Sequence, residues 1–148
     1  MVQIKIECNS MKKNLLLTCA IFLAILASGC GSNPEKQIVG HWSLDAAASG
    51  KLGQMAQSQG GITCDFKDDK TYHLGNGNGV SAADGSYTSS GRTFTLTIQK
   101  IDGQDVSKLK AMSPTVKVPD IIVNLNPDGK SMTMTNAGGS QPLTLKKS

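Results

Sequence analysis

From Ile38 to Lys147 the apolar residues of this chain recur at every second position far more often than at every third or fourth. In GITCDFK, Ile62, Cys64 and Phe66 alternate with Thr63, Asp65 and Lys67, which places the apolar set on one face of a strand. KTYHLG continues the pattern with Tyr72 and Leu74 against Thr71 and His73. GSYTSS and RTFTLTIQKI follow, and in the second of these Phe94, Leu96 and Ile98 face one way and Thr93, Thr95 and Thr97 the other. DIIVNL, SMTMT and PLTLKK repeat the design in the last third. Counting IVGHWSL at the front, the pattern predicts about eight short strands in hairpin succession.

The punctuation between strands supports hairpins. KDDK closes a tight turn through Asp side chains that bond to nearby backbone, and Ser-Ser-Gly joins the next pair. In NPDGK, Pro127 suits the first corner and Gly129 supplies a positive φ. Helical spacing is confined to Asp45–Gln59, where Leu52, Met55 and Ala56 recur at three and four residues while Gly50 and Gly53 weaken the pattern. A short or broken helix after the first strand is expected there. Asp102–Val118 is a long connection with about one helical turn near Val106–Ala111, and connections of that length often sit at a functional rim. Because open edges in such a meander invite aggregation, the expected fold class is all-β, an antiparallel up-and-down meander closed into a barrel.

The front of the chain has a different character. Lys12 and Lys13 precede an uncharged, predominantly apolar run of 12 residues, Leu15–Leu26, followed by Ala27, Ser28, Gly29 and Cys30. This is the pattern of a secretory signal peptide, and the run is too short for about 30 Å of hydrocarbon, which needs roughly 17–25 residues. Small residues admit the chain to a peptidase, and the cysteine behind them offers a thiol for a thioether-linked diacylglycerol. LASGC resembles a bacterial lipobox, with Ala27 where that motif most often has leucine. An ordinary cleaved leader or a short uncleaved anchor would carry the same apolar run.

MKKNLLL is a compact basic start, so Met11 begins the signal more naturally than Met1, and residues 1–10 read as sequence upstream of the true start. The expected organisation is a signal peptide over 1–29, an acylated Cys30 with a polar tether over 30–37, and a barrel domain over 38–148. Cys8 and Cys19 are then removed, and Cys64, set among apolar residues, is expected to be a buried thiol. Gly31 after the cysteine, by resemblance to Gram-negative sorting, implies a lipid-anchored protein of the cell envelope, on the outer membrane and facing the periplasm.

IVGHWSLD resembles the lipocalin-type G-x-W first strand, FKDDKTY resembles an F-x-x-D-x-T-[FY] hairpin of small bacterial lipocalin-like lipoproteins, and GSYTSSGRTFTLT matches their G-x-Y and Thr-rich strand. The resemblance implies a lipocalin-like barrel in which Trp42 closes one end. If a ligand cavity exists, Trp42, Ile62, Phe66, Tyr72, Phe94 and Ile98 would line it and take a small apolar ligand. Few aromatics remain after cleavage, so the interior of an eight-stranded barrel could equally be filled by its own side chains. In that case the long connection with Met112 and Pro114 would serve a protein partner, as in an envelope inhibitor or assembly accessory.

Other chemistries find little footing. From Cys30 onward 12 Lys and Arg face 10 Asp and Glu with no basic stripe, so nucleic acid is not an expected partner. His41, His73, Cys64, Asp65, Asp68 and Asp69 have no metal-ligand spacing, and DFKDDK lacks the oxygen spacing and glycine of a calcium loop. GNGNG leads into a strand rather than into a helix that would face a phosphate. Neither histidine sits in a nucleophile motif. A non-catalytic binding module without cofactor or metal is the expectation.

Overall fold

The structure, a computed structural model, describes residues 33–78, 81–138 and 141–148, with backbone only at 81 and 82. The expected signal peptide, the start at Met11 and the acylated Cys30 lie outside the described residues.

The alternating segments form β1 (Gly40–Leu44), β2 (Ile62–Phe66), β3 (Thr71–Asn76), β4 (Ser81–Ser90), β5 (Thr93–Ile101), a two-residue β6 (Gln104–Asp105), β7 (Ile121–Leu125), β8 (Ser131–Asn136) and β9 (Leu143–Lys147). Every pairing is antiparallel, and apart from β6 each strand bonds its neighbours in sequence. β9 returns to β1, with Trp42 opposite Lys147 and Leu44 opposite Leu145. Eight strands therefore close into a barrel, and closure leaves no long unpaired edge for another chain to extend.

Antiparallel succession sorts the connections by end. Three tight turns, at Lys67–Lys70, Gly91–Arg92 and Asn126–Lys130, fall at one end. In the first, the Asp69 carboxylate accepts from Thr71 N at 3.0 Å and Thr71 Oγ1 at 2.6 Å. In the last, Gly129 has φ +66° and the Asp128 carboxylate accepts from the backbone of Lys130 and Ser131. The longer connections gather at the other end. Between β1 and β2 runs α2 (Gly50–Ser58), and between β6 and β7 runs α3 (Val106–Met112), close to where the spacing of apolar residues places them.

The tight-turn end is closed by α1 (Pro34–Ile38), in a stretch that sequence alone assigns to the tether. Asn33 caps it by accepting from Glu35 N at 2.9 Å, and Pro34 occupies its first turn. Its contacts reach around the barrel mouth. Glu35 accepts from Ser89 Oγ and from Lys70 Nζ (3.3 Å), Gln37 Oε1 accepts from Arg92 Nη2 (3.0 Å), and the Gln37 carbonyl accepts from Lys147 Nζ (2.7 Å). Ile38 is fully buried. Among the described residues no helix is long and apolar enough to cross a membrane.

Candidate functional site

The interior is the first place to look for a site, and its closed half holds the aromatic residues. Phe66 ends β2, Tyr72 begins β3, and Tyr87 and Phe94 flank the β4–β5 turn, so all four point inward near α1. Their rings meet in sequence around the wall: Phe66 and Tyr72 at 6.3 Å between centroids, Phe66 and Tyr87 at 5.2 Å edge to face, Tyr87 and Phe94 at 6.0 Å edge to face. Trp42 Nε1 donates to the Ile38 carbonyl at 2.7 Å, and Lys147 Nζ lies 5.4 Å from the indole centroid. Trp42 thus stands beneath α1 at the closed end, between the helix backbone and an ammonium.

Water-sized space is absent beside most of the interior side chains. Trp42, Cys64, Phe94, Leu96, Val123, Met132 and Leu145 are 0 % exposed, which an interior cavity beside them would not allow. The side chains expected to line a ligand cavity divide into two groups. Trp42, Phe66, Tyr72 and Phe94 pack in one buried cluster, whereas Ile62 and Ile98 lie nearer the opposite end and are half-buried. An eight-stranded barrel is narrow enough for such filling.

Three interior groups, Cys64, Tyr72 and Tyr87, carry perturbed chemistry, and burial is the leading cause in each. Burial pushes the Cys64 thiol up, with the neighbouring Asp65 charge adding to it, so the thiol is neutral and a packing group. Burial likewise raises the Tyr72 phenol. Tyr72 Oη is buried and has no hydrogen-bond partner among the described residues. Tyr87 differs, since its hydroxyl donates to the Lys67 carbonyl at 2.8 Å and ties the β2–β3 turn to β4.

On the outer wall the strand register produces a row that sequence spacing does not reveal. His41 is opposite Asp65, Asp65 opposite His73, His73 opposite Asp84, and Asp84 opposite Lys100, across five adjacent strands. His41 Nδ1 lies 2.5 Å from Asp65 Oδ1, and His73 Nδ1 lies 2.7 Å from Asp84 Oδ1. These four side chains are 39–48 % exposed, so the pairs are solvated contacts on a wall rather than groups in a cleft. Among the described residues no three His, Cys, Asp or Glu side chains converge to hold a metal.

The end opposite α1 has a different surface. Leu52 and Met55 on α2, Met112 at the end of α3 and Val116 beyond it are the exposed large apolar side chains among the described residues, with Met55 63 % and Met112 72 % exposed. At this end an open groove of about 700 Å³ is lined by Pro114, Val116, Val118 and Pro119, by Ala137 and Gly138 from the β8–β9 connection, and by Lys110 and Lys117. A second concavity of about 460 Å³ lies between the end of β5 and α3, with Ile98 and Val106 in its floor. It exists because β5 leaves β7 after Leu96 and turns to pair with β6. Met55 and Met112 lie in the segments whose composition and length sequence analysis singles out.

Comparison with known proteins adds little. No family model matches the chain, and no curated protein matches it. A crystal structure of a DUF4847 family protein from Bacteroides vulgatus, determined at 1.00 Å, is similar at 13 % identity with a TM-score of 0.44, covering 74 % of this chain and 92 % of that one.

Proposed function

We propose that this protein is a lipoprotein of the bacterial cell envelope, acylated on Cys30, whose filled barrel is a non-catalytic scaffold presenting a rim that binds another envelope protein. The observation that carries the binding rim is that the exposed large apolar side chains among the described residues, Leu52, Met55, Met112 and Val116, all belong to connections at the end opposite α1, where Val116 also lines an open groove. Exposed methionines suit a polypeptide partner, because an unbranched thioether chain repacks against varied shapes. The groove adds a specificity element. Its apolar prolines and valines, with Lys110 and Lys117 in the same lining, suit a chain carrying apolar side chains next to a carboxylate.

The anchor rests on the Lys12–Cys30 pattern, in which a basic start and a short apolar run lead to small residues and a cysteine. Each acyl CH₂ in the bilayer contributes about 0.8 kcal/mol, so two or more chains hold the protein without help from the barrel. Gly31 after Cys30 supports placement on the outer membrane, facing the periplasm. A small apolar ligand has less support, since the interior side chains fill their own space.

Photo-crosslinking in the host tests the rim. A photoreactive residue at Met55 or Met112 is expected to capture a discrete protein, and one at Asp68 in a tight turn is not. Capture at Asp68 with none at the two methionines would overturn the assignment.

A further inference from the structure

We propose that the closed end of the barrel is a cationic face that lies on anionic phospholipid headgroups, so that the protein stands on its membrane with the apolar rim held away from it. This builds on the anchored reading above, since acylation of Cys30 brings the face to a bilayer, but the fit of the face itself comes from the barrel's own charges.

Cys30 precedes Asn33 by three residues, a span of at most about 11 Å, and α1 begins there at the closed end. A bilayer holding acyl chains on Cys30 is therefore within reach of the side chains that surround α1. Seven cations belong to this end, on α1, in the three tight turns and at the end of β9, against four acids. Elsewhere the described barrel carries five lysines against six aspartates.

Internal bonding divides those charges unequally. Three of the acids turn back on the protein: Glu35 accepts from Ser89 and Lys70, Asp69 from Thr71, and Asp128 from the backbone of Lys130 and Ser131. Lys70, Arg92 and Lys147 are likewise engaged with Glu35 and Gln37. The ammonium groups of Lys36, Lys67, Lys130 and Lys146 take no part in these bonds and are exposed, and Asp68 is the one acid of this end outside them, also exposed. The exposed large apolar side chains among the described residues all lie at the other end, so this face fits a headgroup layer rather than hydrocarbon. Each lysine near an anionic bilayer surface strengthens association about fivefold, and the effect fades within a Debye length of about 8–10 Å.

The test uses the mature acylated protein in vesicles of phosphatidylethanolamine with phosphatidylglycerol, carrying a fluorophore on Asp68→Cys or on Met112→Cys; the buried Cys64 does not compete for label. Spin-labelled headgroups are expected to quench the Asp68 position several-fold more than the Met112 position. Adding Lys36→Gln, Lys67→Gln and Lys146→Gln, with Trp42 emission confirming the fold, is expected to reduce that difference at least twofold. Equal quenching at the two positions, or a difference that survives loss of the lysines, would overturn the inference. Mass spectrometry of Cys30 decides the anchor separately. If Cys30 carries no lipid, the anchored reading fails, and co-sedimentation of the unacylated chain decides the face: retention on phosphatidylglycerol vesicles at least tenfold above phosphatidylcholine vesicles, lost with the lysines, upholds it, and equal retention overturns it.

Discussion

Trp42 Nε1 donates a 2.7 Å hydrogen bond to the carbonyl of Ile38, four residues earlier, and both residues are fully buried. The bond fastens α1 to the first strand and so decides that the barrel has one closed end. Replacing Trp42 with Phe removes the donor, leaves a buried carbonyl short of a partner and opens space under α1. A loss of about 2–3 kcal/mol in urea unfolding is expected. Ile38→Ala is expected to cost about 2–4 kcal/mol, and the double variant less than the sum, because the two residues share one contact.

The two inward tyrosines make opposite predictions. Tyr72 Oη has no partner among the described residues, so Tyr72→Phe removes a buried polar atom and is expected to leave stability unchanged or raise it by about 1 kcal/mol. Tyr87 Oη holds the Lys67 carbonyl at 2.8 Å, so Tyr87→Phe is expected to lower stability by about 1 kcal/mol. Thermal melts of the two variants side by side separate these outcomes.

Gly85 sits where β4 and β5 shift register, and a Cβ there would lie 2.0 Å from the Thr97 carbonyl oxygen and 2.9 Å from Tyr72 Cε1. The oxygen is backbone and the ring is packed, so neither yields cheaply. Gly85→Ala is expected to destabilise by about 1–3 kcal/mol and to raise amide exchange along β4 and β5 first.

Acid sensitivity should concentrate at the closed end. The Ser89 hydroxyl, and then Lys70, hold the Glu35 carboxyl below its ordinary value of 4.5. A carboxylate depressed in the folded state adds stability above its unfolded pKa, and that stability is lost as pH falls through the lower folded value. Glu35→Gln is therefore expected to flatten the fall in melting temperature below about pH 4.5 without abolishing it, because Asp69 and Asp128 are depressed by their own turn hydrogen bonds. An unchanged acid limb in the variant would contradict this role for Glu35.

Much of the barrel is legible in the sequence because a period of two survives in almost every strand. Phe94, Leu96 and Ile98 against three threonines is a complete statement of inside and outside. The turns are equally legible, since Asp128 and Gly129 do locally what such residues do in isolation. α1 is not legible in this way, although Asn33-Pro34-Glu35 carries a cap, a first-turn proline and an acid, because a polar stretch after a leader suggests a tether. The His41–Asp65 and His73–Asp84 pairs depend on strand register, which the lengths of the connections set and no spacing within a strand encodes. Whether Trp42, Phe66 and Phe94 enclose space or fill it depends on barrel width, and only the assembled fold fixes that.

The emission of Trp42, the only tryptophan in the chain, tests the filled barrel most directly. Titration with long-chain fatty acids should leave its wavelength and intensity unchanged, because no space beside the indole admits a ligand. A saturable shift at one equivalent would show a hollow interior and contradict the account.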